Sequence, residues 1–277
     1  MIPKIIHYCW FGVNPMPETE ANYVSNWRKI LPDYEFMLWD EQNFDIYSTK
    51  FTKQTASVQK WAFVSDYVHA YAVYNYGGIS LDTDVEVLKK FDDLLDNKCF
   101  AGFNCEHYVN PGSAFGGEKG CKIALETMKF YENYNSFNRK GILGLSSSPI
   151  ILSEILLNYG FQQNNTYQNL PEITIYPSDY FSCKSYDTGK IEISKNTYSV
   201  HHFSGSWLTK NTQKPVQERW AFHEKYGNDE YLVNMYKQLE FLRNRSVDNM
   251  RLKKLYKIVI KRTINKLFHK IVQHRSI

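Results

Sequence analysis

No apolar run in the 277 residues approaches the ~18 positions that a membrane-spanning helix needs, so the sequence holds no candidate for a helical span. The first ten residues, Met1 to Trp10, lack the basic start and small-residue cleavage site of a secretory signal. No C-x-x-C occurs. The five cysteines (Cys9, Cys99, Cys105, Cys121 and Cys183) are scattered and odd in number, which argues against a disulfide scaffold or zinc cluster and for a reducing cytoplasm. Repeats, low-complexity stretches and Gly/Ser linkers are also absent. Acid is missing from one place in particular: from Arg251 to the end there are nine Lys or Arg and no Asp or Glu. The first 250 residues then hold 24 basic and 29 acidic side chains, a mildly acidic body that is no nucleic-acid-binding core.

What is present points to a folded α/β unit. Apolar residues make up 43% and charged residues 22%, enough for a core and too little charge for wholesale disorder. Aromatics reach 16%, with 21 Tyr and 6 Trp, as fits either a packed core or a cleft for sugars or bases. Lys4 to Trp10 reads as a buried strand, Glu18 to Ile30 as a helix with Ala21, Val24, Trp27 and Ile30 on one face, and Tyr34 to Trp39 as a second strand. Ser57 to Tyr76 has helical period and stops at Gly77-Gly78, and Ile79 to Leu81 is a further buried strand. Cys99 to Phe103, Ile173 to Tyr176 and Ile191 to Phe203 read as strands, Cys121 to Tyr134 and Pro149 to Tyr159 as helices. This alternation implies a sheet with helices on both faces, spanning residues 1–210, followed by a helical extension over 211–277.

The chemistry concentrates in G-G-I-S-L-D-T-D-V-E-V, Gly77 to Val87. Residues two apart on a strand point to one side, so Asp82 and Asp84 are expected to project together from its carboxyl end, where open α/β sheets bind ligands. Two adjacent carboxylates repel unless a cation sits between them, and such oxygen ligands suit Mg²⁺ or Mn²⁺, which can in turn hold a diphosphate. The alternative is a haloacid-dehalogenase-type phosphatase: Asp82-Thr83-Asp84-Val85 fits its D-x-D-x-[TV] motif. Such enzymes usually carry that motif on their first strand, whereas here ~80 residues precede it. A non-enzymatic carbohydrate-binding module at a membrane is the third reading, although a pure binder has no need of paired strand-end aspartates.

The surroundings of the motif resemble a known family. I-P-K-I-I-H-Y-C-W-F-G (Ile2 to Gly12), S-D-Y (Ser65 to Tyr67), the D-T-D stretch and V-H-H-F-S-G-S-W (Val200 to Trp207) together are similar to the DxD sugar transferases of glycosyltransferase family 32. That group includes outer-chain mannosyltransferases and bacterial capsule and lipopolysaccharide transferases. The resemblance implies a GT-A-type fold, a nucleotide-sugar donor, a divalent metal and retention of anomeric configuration. Carried over residue by residue, Asp84 is the direct metal ligand, Asp82 lies nearer the ribose and donor sugar, and His201 is a third ligand that favours Mn²⁺ over Mg²⁺. His202 has the weaker claim. His7 and Trp10 fall where the family binds nucleobase and ribose, Asp66 where it holds donor-sugar hydroxyls, and Ser206 and Trp207 where relatives close over the diphosphate. His69 lies one helical turn after Asp66 on the same face.

Two departures bear on the donor. His69 stands where the family usually has Arg, and Ser80 where it has Tyr or Phe. Ser146-Ser147-Ser148-Pro149 replaces a T-G-P before a helix and is expected to face the acceptor. Glu106, after a strand, is a candidate cleft carboxylate, though no convincing enzymic nucleophile is visible. The expected donor is UDP-linked, carrying a hexose or N-acetylhexosamine, and the acceptor a glycan or lipid-linked glycan of a bacterial surface polysaccharide. Residues 251–277 have the composition of an interfacial amphipathic helix, with Leu252, Leu255, Val259, Leu267 and Ile271 on one side. The protein is therefore expected in the cytoplasm, docked peripherally on the anionic inner face of the plasma membrane.

Overall fold

The computed structural model describes residues 1–105, 107–134, 137–138, 141–142, 147–205, 210–227, 233–234 and 236–237. Strand β1 (Ile5–Cys9) leads into α1 (Glu18–Ile30), β2 (Glu35–Trp39), α2 (Lys50–Ser57) and α3 (Trp61–Tyr76). Two short strands flank the aspartate motif: β3 (Gly78–Ser80) before it and β4 (Val85–Val87) after it. There follow β5 (Cys99–Phe103), β6 (Val109–Gly117), α4 (Lys122–Glu132), β7 (Phe137–Asn138), β8 (Gly141–Ile142) and α5 (Ser148–Leu157). The remaining elements are β9 (Gln168–Asn169), β10 (Thr174–Tyr176), β11 (Ser199–His201) and α6 (Lys210–Tyr226). The chain divides into two compact units, residues 1–217 and 218–277.

Seven strands form one sheet in the order β2-β1-β3-β6-β5-β10-β9. β1 runs parallel to β2 and β3, and β5 parallel to β10, whereas β6 is antiparallel to both of its neighbours. The period-2 alternation of a strand distributes its residues over two faces. From β1, Ile6 and Tyr8 join the core on the α1 side with Val24, Trp27 and Leu31, while Cys9 joins the opposite layer with Val64, Val68 and Ala72 of α3. β5 behaves alike: Phe100 packs on the α1 side, Cys99, Ala101 and Phe103 on the side of α4 and α5. A large central mixed sheet with helices on both faces agrees with the GT-A-type expectation, while β4 pairs with β11 and β7 with β8 apart from it.

Several elements differ from the sequence reading. The polar run K-F-T-K-Q-T-A-S forms α2, capped by Thr49, whose hydroxyl accepts from Thr52 N at 3.0 Å; α3 begins only at Trp61. β6 was not expected, because Pro111 and three glycines in V-N-P-G-S-A-F-G-G depress strand propensity. The expected strand over 191–203 is reduced to β11, since Ser194 to Thr197 turns back on itself: Ser194 N donates to the Thr197 hydroxyl at 2.9 Å, and the Asp179 carboxylate accepts from Ser194 Oγ and Asn196 Nδ2 at 2.8 and 3.0 Å. The expected extension is helical in the described residues 210–226; the basic segment 251–277 lies outside them. No described helix is long and apolar enough to cross a membrane.

Trp27 ties this frame to the aspartate motif. Fully buried, it sits edge-on to Tyr8 at 5.7 Å, and its indole N–H donates to the Val85 carbonyl at 2.7 Å, one residue past Asp84. Trp27→Phe keeps the apolar body and orphans that carbonyl. The expected loss is about 1–3 kcal/mol of unfolding free energy, read from a lower urea midpoint at unchanged slope.

Candidate active site

The two aspartates converge by a turn rather than by strand alternation. β3 ends at Ser80; Leu81 N still donates to His7 O at 3.0 Å and Asp82 N to Gly112 O at 2.9 Å, after which Val85 N closes a turn onto Asp82 O at 3.1 Å. The chain then leaves the main sheet as β4, which pairs antiparallel with β11 in a separate ribbon that sets Val85 opposite His201. His202 N donates to Asp84 O at 3.0 Å and locks that register. The ribbon is what brings a histidine from late in the chain onto the aspartates.

Asp82, Asp84 and His201 each offer a ligand atom, all within 4.8 Å of one another. His201 Nε2 lies 3.1 Å from Asp84 Oδ1 and 3.7 Å from Asp82 Oδ2. Burial opposes a charged imidazole at His201, but the carboxylates of Asp84 and Asp82 outweigh it and its pKa is raised. Burial likewise opposes the charge on Asp84, yet His201 and hydrogen bonds from Ser204, whose N–H donates at 2.7 Å, hold that carboxyl below the usual range. Asp82 stands at the mouth of the site with 37% of its side chain exposed, and partial burial and the adjacent Asp84 charge push it upward. Among the described residues, the ion-pair partners of both aspartates are imidazoles, not Lys or Arg.

Helix α3 contributes two more groups. His69 Nδ1 lies 3.7 Å from Asp82 Oδ1, and among the described residues its buried Nε2 has no hydrogen-bond partner; burial lowers this imidazole to about 4, so it is neutral. Asp66 is half-buried, and desolvation and the Asp82 charge raise it to about 7 against a hydrogen bond with Ser148. Ser148 opens α5, and of the S-S-S-P stretch it is Ser148 that reaches Asp66. Asp82 and Asp84 face one protonatable imidazole, and Asp66 and Asp82 act on each other electrostatically, so negative charge concentrates here. A divalent cation with oxygen and nitrogen ligands fits this donor set.

A floor of β6 supports the cluster. An added Cβ at Gly112 would lie 2.1 Å from Asp82 Oδ2, so the carboxylate rests directly on this backbone. Asn110 Nδ2 and Ser113 Oγ both lie 3.1 Å from His201 Nδ1. Sequence reasoning passed over Asn110, Gly112, Ser113 and Ser182 because none stands in a D-x-D or histidine motif. The only signal was the N-P-G-S stretch itself, which resembles a loop. Lys184 was missed as well; its Nζ donates to His202 O at 2.8 Å, and Asp84 counteracts the lowering of its pKa by burial.

Two histidines, one expected in the donor site and one weighed as a weaker metal ligand, are placed elsewhere. His7 is fully buried, with Nε2 2.7 Å from Gly77 O and Nδ1 accepting from Trp39 Nε1 at 3.2 Å, and burial lowers it to about 4. Both nitrogens are committed inside the protein, so it joins β1 to the end of α3 instead of reaching a nucleotide. His202 turns away to Glu86, at 2.8 Å, and stacks on Tyr23 at 4.9 Å. Trp10 lies half-buried at the carboxyl end of β1, its indole donating to Asn14 O at 2.8 Å. Ser206, Trp207 and Glu106 lie outside the described residues.

Residues 17–101, which include Asp66, His69, Asp82 and Asp84, match the family described as glycosyltransferase sugar-binding region containing DXD motif. Inositol phosphoceramide mannosyltransferase 1 of Schizosaccharomyces pombe is 24% identical over 226 residues, covering 73% of this chain and 69% of its own. Inositol phosphoceramide mannosyltransferase 3 of the same yeast is 30% identical over 166 residues, covering 56% and 44%. A mannosyl phosphorylinositol ceramide synthase of Saccharomyces cerevisiae is 24% identical over 204 residues, covering 71% and 52%. The chain thus spans about half the length of the latter two. Solved structures overlay more loosely: the PaToxG glycosyltransferase at a TM-score of 0.46 and 17% identity (57% of this chain, 68% of that one), and the galactosyltransferase LgtC at 0.38 and 11% (78% and 95%). Over residues 17–101 the chain thus matches the DXD glycosyltransferases, and the relatives named above are transferases, which favours that reading over the phosphatase and binding-module ones.

Gly112→Ala tests the floor. The side chain of Asp82 must swing aside, while Gly112 has no left-handed φ for alanine to strain. Mn²⁺ affinity, measured by titration, is expected to fall roughly 10–100-fold with little change in the thermal midpoint.

Proposed function

We propose that this chain transfers a hexose or N-acetylhexosamine, with retention of configuration, from a nucleoside-diphosphate sugar to a hydroxyl of a glycan or lipid-linked acceptor. The observation that carries this reading is the convergence of Asp82, Asp84 and His201 within 4.8 Å beside the carboxyl end of β3. Mn²⁺, or Mg²⁺, held by these three would neutralise charge on the departing diphosphate, where the barrier to glycosyl transfer falls. Asp66, raised to about 7, can donate to or accept from a donor-sugar hydroxyl. Trp10, at the end of the neighbouring strand, offers an aromatic surface to a nucleobase. In this reading the acceptor hydroxyl attacks the anomeric carbon from the face the diphosphate leaves, since no protein nucleophile is assigned.

The expected donor is UDP-linked. The named relatives are mannosyltransferases acting on inositol phosphoceramide, so a mannosyl donor and a lipid acceptor belong in the same screen. Released nucleotide is measured with UDP-glucose, UDP-galactose, their N-acetylhexosamine counterparts and GDP-mannose. Asp84→Asn removes a charge and an anionic ligand, and a loss of ~4 kcal/mol at the developing charge lowers turnover about a thousandfold. Excess EDTA is expected to abolish turnover; full activity in EDTA overturns the metal reading.

The tail is proposed to hold the enzyme at an anionic membrane surface, on the strength of its nine cations, its lack of acid and its apolar stripe. Each cation near such a leaflet is worth ~1 kcal/mol, so several together give reversible docking. In co-sedimentation with phosphatidylglycerol liposomes at low salt, the full chain is expected to pellet and a chain truncated after Asn249 to stay in solution. Equal behaviour of the two overturns the anchor.

A further inference from the structure

The hydrogen bonds behind His201 are built for one tautomer of its ring. A neutral imidazole carries one proton, and a nitrogen that ligates a metal must present its lone pair. Nε2 is the nitrogen that faces Asp84 and Asp82, so a metal-ligating His201 must hold its proton on Nδ1. That N–H then needs an acceptor behind the ring.

Two groups stand there at 3.1 Å, and their chemistry differs. The Asn110 amide is oriented by Gly112 N, which donates to its Oδ1 at 3.1 Å, leaving the NH₂ toward the ring; an NH₂ cannot accept. Ser113 Oγ can. It accepts from Asn110 Nδ2 at 2.8 Å, and its own proton can pass to Ser182 Oγ, with which it shares a short hydrogen bond. A lone pair of Ser113 thus remains for the His201 Nδ1–H, and with it the hydroxyl is fully satisfied in a site from which water is excluded. In the opposite tautomer Asn110 donates to Nδ1, and Nε2–H donates to Asp84 Oδ1.

We infer that Ser113 is the positioning residue of the metal site: its hydroxyl, polarised by Asn110 and relayed to Ser182, accepts the Nδ1 proton of His201 and so presents Nε2 as a ligand, while the Asn110 amide favours the unliganded tautomer. This rests on the Asp82–Asp84–His201 metal reading and adds a switch in the ring that the cation must turn. Partners of this kind orient a ligating histidine and raise its basicity, and their removal typically costs 10–100-fold in metal affinity.

The test is direct Mn²⁺ titration, following free Mn²⁺ by electron paramagnetic resonance, on the full chain without donor or acceptor. Ser113→Ala leaves Nδ1–H facing only an NH₂ and is expected to weaken binding 10–100-fold. Asn110→Asp places an acceptor at the same position in nearly the same shape. It is expected to bind Mn²⁺ at least as tightly as wild type, and to restore binding when combined with Ser113→Ala. A merely structural serine would not be rescued by a carboxylate at 110. Wild type and Ser113→Ala with equal affinity overturn the inference alone, as does Asn110→Asp binding tenfold or more weakly than wild type. A wild-type chain that binds no Mn²⁺ overturns the metal reading and this inference with it.

Discussion

Two carboxylates set against one imidazole where water is largely excluded are the constraint around which the rest of the fold is arranged. Asp84 is almost wholly buried, and a buried carboxylate is tolerated only when its charge is met. His201 meets it from one side and Ser204 from another, while Asp82 supplies a second negative charge that neither can cancel. The arrangement is therefore poised for a cation, and its neighbours serve to hold the groups in that poise.

Each support comes from a different part of the sheet. β1 and β3 deliver the chain to the motif, the turn at Asp82 redirects it, and the β4–β11 ribbon carries the histidine across. β6 forms the floor, bare at Gly112 so that Asp82 can lie on it and polar at Asn110 and Ser113 so that His201 cannot rotate. Trp27 fastens the ribbon to α1 through the Val85 carbonyl. Because these contacts share residues, substitutions among them will not add independently. On the far side of Asp82, α3 presents a neutral imidazole and a carboxyl poised near neutrality, where a permanent cation would be expected from the family pattern.

Much of this was legible in the amino-acid sequence. Residues whose role follows from local pattern declared themselves: the apolar runs of β1 and β5, the apolar stripe of α1, the stop at Gly77, and the aspartate pair after a buried strand. His201 was reached through a motif rather than through spacing, since nothing local links position 201 to position 84. Tertiary structure alone separated the histidines. His7 and His69 are both buried, yet one has both nitrogens bonded within the protein and the other faces Asp82. His201 and His202 are adjacent, and strand pleating sends them to opposite partners, Asp84 and Glu86. β6 stayed hidden because its glycines and proline resemble a loop until Phe100 and Asp82 are seen to occupy the space where side chains would stand. The sequence by itself determined the residue types of the cluster and the buried strand that leads into it, because those depend on neighbours two to four residues away. The tautomer-setting serine and the backbone floor were decided only by the tertiary structure, because they depend on a strand, a ribbon and a turn that long-range pairing brings together.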